Sequence, residues 1–404
     1  MAERMRPETI AVHGVLFEKD KASSSGSALT AVERLERQMA LLEGGCGSSV
    51  VYSGQAALHQ VVLTLARTGD EIVVSGNVRP ETNNLFNVLL RDCGITVNFV
   101  YTDKPSAFDG AVSPRTRFIF LEVEGSIVPE VYDIASIADI AHKNKIPFVV
   151  ACGSISPVVF KPIEAGADIV IRDLSVTFGL HSPLNAGFVT DSGKFDWRVG
   201  NVPLMKAGDP IFGNIRWAFD LPKDFADSAF LLRFSLVIRR MLGSEISEES
   251  ARAKIEALQT YPIRFEKQCE NAMAVAKLLV KNPKVAWVRY PGLDYDAAHK
   301  NAAKQFGKIY GTLLAFGFSG KTEDSAVVAD RFLNALHLIK RGTDPNGAES
   351  SARAFAKTTM PSPLAVRPAM PALLEQYPGL IRFTAGIENT KDILDDITQA
   401  LKTV

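Results

Sequence analysis

Between Val50 and Asp191 the chain alternates short, strongly apolar runs with longer amphipathic or polar segments, and this pattern constrains the fold more than any other feature. The runs Val50 to Tyr52, Glu71 to Ser75, Val97 to Tyr101, Phe118 to Val123, Phe148 to Ala151, Ile169 to Ile171 and Phe188 to Asp191 predict strands. Between them, Gly54 to Leu65, Asn84 to Leu90 and Ile134 to His142 predict helices, the first opening at a Ser-Gly turn. Strands and helices at this spacing imply a largely parallel sheet with helices on both faces. A further helix precedes the first strand: Leu35, Met39 and Leu42 recur at helical spacing and Gly44–Gly45 stops it.

After Trp197 the pattern changes. A long helical region, Phe230 to Leu258 and on through Arg264 to Leu279, leads to a smaller α+β region. There, Ala286 to Tyr290 and Thr312 to Phe318 predict strands, and Ala326 to Leu338 and Lys391 to Leu401 predict helices. The serine-rich stretch within residues 18–30 cannot build a core face and predicts a loop. The expected division is therefore an N-terminal arm over 1–28, a large α/β domain over 29–255 and a small domain over 256–404.

With 404 residues, 47% hydrophobic and 22% charged, and a formal net charge of zero, the chain can bury two cores and offers nucleic acid no electrostatic attraction. Cys46, Cys93, Cys152 and Cys269 are far apart, so neither a zinc site nor a disulfide framework is expected. His59, His142 and His337 fall on predicted helices with no carboxylate at a suitable spacing, and no metal site is expected. No apolar stretch is long enough to cross a bilayer and the first residues lack an apolar signal core, so a cytoplasmic protein is expected.

Four blocks carry a resemblance: Leu42 to Leu58 (LEGGCGSSVVYSGQAAL), Ala165 to Ile171 (AGADIVI), Gly187 to Trp197 (GFVTDSGKFDW) and Ile381 to Leu401. In them the chain resembles the cystathionine γ-synthase family, closest to its O-acetylhomoserine sulfhydrylase branch. The resemblance runs over nearly the whole chain after residue 29. It implies an aspartate-aminotransferase-like pyridoxal-phosphate (PLP) transferase fold: a mostly parallel seven-stranded sheet domain with a smaller α+β domain. It also implies assembly as a homodimer or homotetramer.

Against that family's pattern the cofactor residues are replaced. The Ser-x-Thr-Lys block, whose lysine forms the Schiff base with PLP, reads Asp173-Leu174-Ser175-Val176, and no lysine lies between Lys161 and Lys194. The aspartate that pairs with the pyridine nitrogen falls on Ala151, next to Cys152. The ring-stacking tyrosine falls on Arg79, and the Asn-Pro pair at the ring hydroxyl on Ser126-Ile127. The Tyr-x-Arg motif that grips a neighbour's phosphate falls on Ser24-Ser25-Gly26. Ser53-Gly54-Gln55 still opens a helix able to hold an anion. Arg382 matches the arginine that binds the substrate carboxylate, although a pairing with Glu388 would equally account for it.

Arg79, Glu124, Ser126, Cys152, Arg172, Asp173 and Ser175 are expected around the vacated pocket. A nucleophilic Cys152 is the less favoured reading beside a core one, His181 is read as structural, and Lys340-Arg341 as a solvated basic pair ending a helix. Covalent PLP is not expected. Three functions follow. One is a binding protein for an amino-acid-like or anionic small molecule, or for a partner such as a paralogous enzyme. Another is a PLP-independent enzyme working on an amino-acid-derived substrate in a rebuilt pocket. The weakest is a non-covalent PLP binder with residual γ-replacement activity.

Overall fold

A computed structural model describes residues 29–123, 128–153, 155–174, 178, 185–318, 322–342, 347–355 and 374–404. The expected N-terminal arm lies outside them. Seven strands form the large sheet: β1 (Gly47–Val51), β2 (Glu71–Ser75), β3 (Thr96–Val100), β4 (Thr116–Glu122), β5 (Phe148–Cys152), β6 (Ile169–Asp173) and β7 (Gly187–Asp191). Their spatial order is β1-β7-β6-β5-β4-β2-β3. Only β7 runs against the rest, pairing antiparallel with β1 and β6. Strand direction leaves no trace in hydrophobic period, so this reversal could not be read from the sequence.

Successive side chains of a strand point to opposite faces, and the two faces carry separate cores. Val73, Ile119, Leu121, Val150 and Val170 pack with the helices Ala31–Glu43 and Ile134–Lys143. Ile72, Phe118, Phe120, Val149, Ala151, Ile169 and Ile171 pack against the helix Gly54–Leu65. The strands are covered on both sides, as a mainly parallel sheet requires. The Ala31–Glu43 helix is closed by a capping box at Thr30 and Glu33, and ends on a left-handed Gly44 with φ of 75°.

The second sheet has five strands in the order β10-β11-β12-β9-β8: β8 (Val285–Arg289), β9 (Leu313–Phe318), β10 (Lys340–Arg341), β11 (Ser351–Ala354) and β12 (Ile381–Thr384). A 33-residue helix, Glu248–Val280, joins the two parts. Ala251, Ile255, Leu258, Tyr261 and Phe265 pack on the large core, and Ala272, Val275, Ala276 and Leu279 on the small one. The division drawn at 255/256 falls inside this helix.

Several boundaries differ from expectation. The first part of the predicted long helix stops at Leu242, where Gly243 turns left-handed with φ of 59°, while Pro262 is accommodated inside the following helix. The predicted helix Ala326 to Leu338 runs from Thr322 to Asn334, leaving His337 beyond its end. Asp396 draws the chain away there, accepting from the backbone N–H groups of His337, Leu338 and Ile339 at 2.9, 2.9 and 3.0 Å. Lys340 and Arg341 consequently lie on β10 rather than at a helix end, their side chains held by Glu349 and Asp330. The helix His299–Phe306 and strands β10, β11 and β12 were not anticipated. Among the described residues no helix is long and apolar enough to cross a membrane, and no group of three His, Cys, Asp or Glu is placed to hold a metal.

Candidate functional site

Strand order reverses between β2 and β4: the chain crosses from β2 outward to β3 and returns to β4 on the other side. In open α/β sheets the crevice outside the carboxyl ends of the strands at such a point is where ligands bind. Here it is built by residues that follow or end β2, β4, β5 and β6. Glu122 ends β4, Ala151 lies opposite it on β5, and Asp173 ends β6. By alternation all three face the helix Gly54–Leu65, the side on which Phe120, Val149 and Ile171 are buried.

Arg79 spans this row from the loop after β2. Its Nε donates to Glu122 Oε1 at 2.7 Å, and its backbone N–H donates to Glu122 Oε2 at 2.7 Å. Its Nη1 lies 3.8 Å from Asp173 Oδ2. Burial opposes the guanidinium's charge, but the carboxylates of Glu122 and Asp173 outweigh it and raise the pKa. Arg79 is thus fixed by two acids. An aromatic ring lying flat over the β4 and β5 strand ends would need the space those ion pairs occupy.

Asp173 also meets the helix N-terminus. Ser53 caps the helix, its Oγ accepting from Ala56 N–H at 3.1 Å. A Cβ placed on Gly54 would lie 2.6 Å from Asp173 Oδ2, so only glycine allows this approach. The end of a helix where N–H groups and the dipole favour an anion therefore already faces a carboxylate of the chain itself. Gly187 serves the same packing: a Cβ there would come within 2.0 Å of the Ser53 carbonyl oxygen.

Other expected residues lie elsewhere. Arg172 and Cys152 sit directly beside Asp173 and Ala151 in sequence and are cross-strand partners, so alternation turns both to the opposite face. Arg172 is buried there, its guanidinium engaging both carboxylate oxygens of Glu43 and the carbonyl oxygens of Ile155 and Phe160. Cys152 is buried in the same core. Neither belongs to the crevice, which corrects their assignment to the pocket. Gln55 turns away into an open, mainly apolar cleft of about 570 Å³ lined by His59, Glu81, Leu85, Val88 and Leu89. Arg382 is on β12 of the small sheet, opposite Ala315 and Arg353. Glu388 is engaged instead by Ser350, whose hydroxyl donates at 2.9 Å. Glu124, Ser126, Ser175, Val176 and His181 lie outside the described residues.

Two groups were missed. His142 Nε2 lies 2.9 Å from Asp168 Oδ2, and this contact raises the imidazole pKa against the opposing effect of burial. The two are 26 residues apart, beyond any spacing rule on one helix. Lys254 is the other, only 2% exposed, and Asp173 acts on it electrostatically. The signal was available: Lys254 occupies an apolar-stripe position, three residues after Ala251 and four before Leu258.

These residues do not fit PLP. No carboxylate stands at Ala151 to pair with a ring nitrogen, and a carboxylate at Gly54 opposes a phosphate at that helix end through like-charge repulsion.

Known proteins are similar to this chain along almost its full length. The family model for Cys/Met metabolism PLP-dependent enzymes matches residues 25–402. O-acetyl-L-homoserine sulfhydrylase of Leptospira meyeri is 31% identical over 378 residues, 92% of this chain and 83% of the relative. Homocysteine synthase of Schizosaccharomyces pombe is 32% identical over 91% of this chain and 84% of its own length. Among solved structures, an O-acetylhomoserine sulfhydrylase of Wolinella succinogenes superimposes with a TM-score of 0.75 at 27% identity, covering 92% of this chain and 96% of that one. An O-acetylhomoserine (thiol)-lyase from Campylobacter jejuni shares the fold with a TM-score of 0.82 at 23% identity, covering 92% and 86%. With the fold and these matches in agreement, the chain belongs to the Cys/Met metabolism PLP-dependent enzyme family.

Proposed function

We propose that this member of the family works without covalently bound PLP and serves as a binding protein for an amino-acid-like small molecule or for a protein partner, rather than as a sulfhydrylase. The observation that carries the reading is the cluster of Arg79, Glu122 and Asp173 across the strand ends. Unselected loss of a cofactor site leaves buried charges without partners, which is costly. Here Arg79 and Asp173, which stand where the resemblance expects other residues, face one another, Arg79 is also paired with Glu122, and both faces of the sheet stay closely packed. Such a site has been rebuilt, not abandoned. Asp173 at the helix end further argues against phosphorylated ligands.

The test is spectroscopic. The purified protein is expected to be colourless, to gain no visible band on titration with PLP, and to show no turnover of O-acetylhomoserine with sulfide. A stoichiometric visible band that borohydride fixes to the chain would overturn the reading. Mass spectrometry of small molecules released from the native protein would then identify what it carries.

A further inference from the structure

The amino ends of the parallel strands form a second cleft, away from the crevice of Arg79, Glu122 and Asp173 at the carboxyl ends. His142 sits in the last turn of the helix that leads into β5, and Asp168 immediately precedes β6. Lys194 follows β7, whose reversed direction returns the chain to this same end. These three, with Lys145 and Phe195, line a cavity of about 390 Å³. The buried carboxylate of Asp168 organises it: Oδ2 accepts from His142 Nε2 at 2.9 Å and from the Phe148 N–H at 2.8 Å. The half-exposed imidazole is thereby fixed through one nitrogen, and Nδ1 stays outside the pair.

The acids that line the cleft are already engaged. Besides Asp168, Asp196 accepts from Nε and Nη2 of Arg198 at 2.8 and 2.9 Å, and Glu164 lies 3.6 Å from Lys161 Nζ. Lys143 is turned outward to Asp109. Among the described residues the ammonium groups of Lys145 and Lys194 have no such partner, so the cleft keeps two uncommitted cations. The carboxyl end of the helix Ile134–Lys143 would by itself resist an anion. Its last carbonyls are spent, however: Ile140, His142 and Ala141 accept from the N–H groups of Asn144, Lys145 and Ile146.

We propose that this cleft binds a small phosphate monoester with a flat apolar body, the phosphate between Lys145, Lys194 and His142 and the body against Phe195. Two ammonium groups and an imidazolium from separate segments suit a dianion that offers three acceptor oxygens. Phe195 packs edge-on to Trp197 at 4.7 Å and tilts toward His142 at 6.4 Å, and Ile163 and Val199 extend the apolar wall. The contact with Asp168 raises the His142 pKa against the effect of burial, and Asp139 on its own helix acts in the same direction. Asp191 lies behind Asp168, while Lys145, Lys194, Glu164 and Asp196 face the imidazole across the cleft. The site is separate from the crevice and does not rest on the function proposed there.

The full chain is titrated by calorimetry with phenyl phosphate and, in parallel, with inorganic phosphate. Phenyl phosphate is expected to bind one to one, and inorganic phosphate roughly ten-fold more weakly for want of the apolar body. Lys145→Gln combined with Lys194→Gln should weaken phenyl phosphate by roughly ten-fold and leave the urea midpoint unchanged, since both side chains are exposed. Between about pH 7 and about pH 9 the phosphate stays dianionic while the imidazolium is lost, so affinity should fall, and His142→Gln should remove that fall. No binding at millimolar phenyl phosphate, or binding that the double lysine variant leaves intact, would overturn the site. Inorganic phosphate binding as tightly as phenyl phosphate would overturn the ligand class, and a pH profile unchanged by His142→Gln would overturn the part given to His142.

Discussion

Arg79 holds Glu122 twice, once through its side-chain Nε and once through its own backbone N–H, each at 2.7 Å. Since the backbone contact survives any substitution at position 79 except proline, the two partners are not equivalent. Arg79→Ala leaves a carboxylate that is 4% exposed with only the backbone donor and loses the neighbour of Asp173 as well. We expect it to cost about 2 kcal/mol in urea denaturation, below the usual range for a fully buried pair because Arg79 is partly exposed. Glu122→Gln should cost less, since the arginine retains Asp173 and some access to water. Equal losses from both variants would contradict this asymmetry.

A pH dependence follows from Asp191. Burial and the nearby Asp168 charge push its carboxyl up to about 7, against the lowering effect of the Gly193 and Leu231 backbone N–H groups. A carboxyl whose folded pKa lies above its unfolded value takes up a proton on folding. Its contribution is therefore full below the ordinary carboxylate range and is lost as pH rises through about 7. His142 acts with the same sign: its raised pKa favours folding below the usual histidine range and fades as pH rises. Asp191→Asn should flatten the fall in stability between about pH 4 and about pH 7. Denaturation midpoints across that span would check it, and an unchanged slope would reject the assignment.

On the proposed reading, a lysine placed at Val176 will not create a sulfhydrylase. Val176→Lys supplies a lysine at the family position but leaves Ala151, Arg79 and Asp173 as they are. We expect no tight PLP binding and no sulfhydrylase turnover from that variant. Adding Ala151→Asp, Arg79→Tyr and Asp173→Ser should bring back at least the visible band. Turnover by the single variant would show that the crevice is still nearly ancestral.

Self-association is expected as well. Val88, Leu89, Met241 and Leu242 are large apolar side chains exposed by 47, 57, 56 and 51%. Zero net charge offers no long-range repulsion to keep copies apart. Light scattering at micromolar concentration should report a homodimer, and the pair Leu89→Glu with Met241→Glu should shift it toward monomer.

Much of the large sheet was legible because short apolar runs between turn residues admit few readings. The helix Gly54–Leu65 and the strand Glu71–Ser75 fall where the sequence placed them. The small sheet was less so: β11 reads Ser-Ala-Arg-Ala, an alternation of four residues whose apolar members are only alanines, too short and too weakly apolar to announce a strand, and it is held by its neighbour β12. At the site, proximity along the chain misled. Arg172 and Asp173 are adjacent, yet the pleat sends one to Glu43 and the other to Gly54. Conversely, Arg79 and Asp173 are far apart in sequence yet lie 3.8 Å apart across the strand ends, a tertiary fact that spacing does not encode.

The carboxylate facing Gly54 has one more consequence. It is a tethered competitor: an anion that cannot diffuse away and whose effective concentration at the helix end is on the order of millimolar or above. Any phosphorylated compound in solution must displace it before using that helix end. Selection for phosphate binding there would therefore have to begin by removing a group, and Asp173 would have to change before any gained residue could take effect.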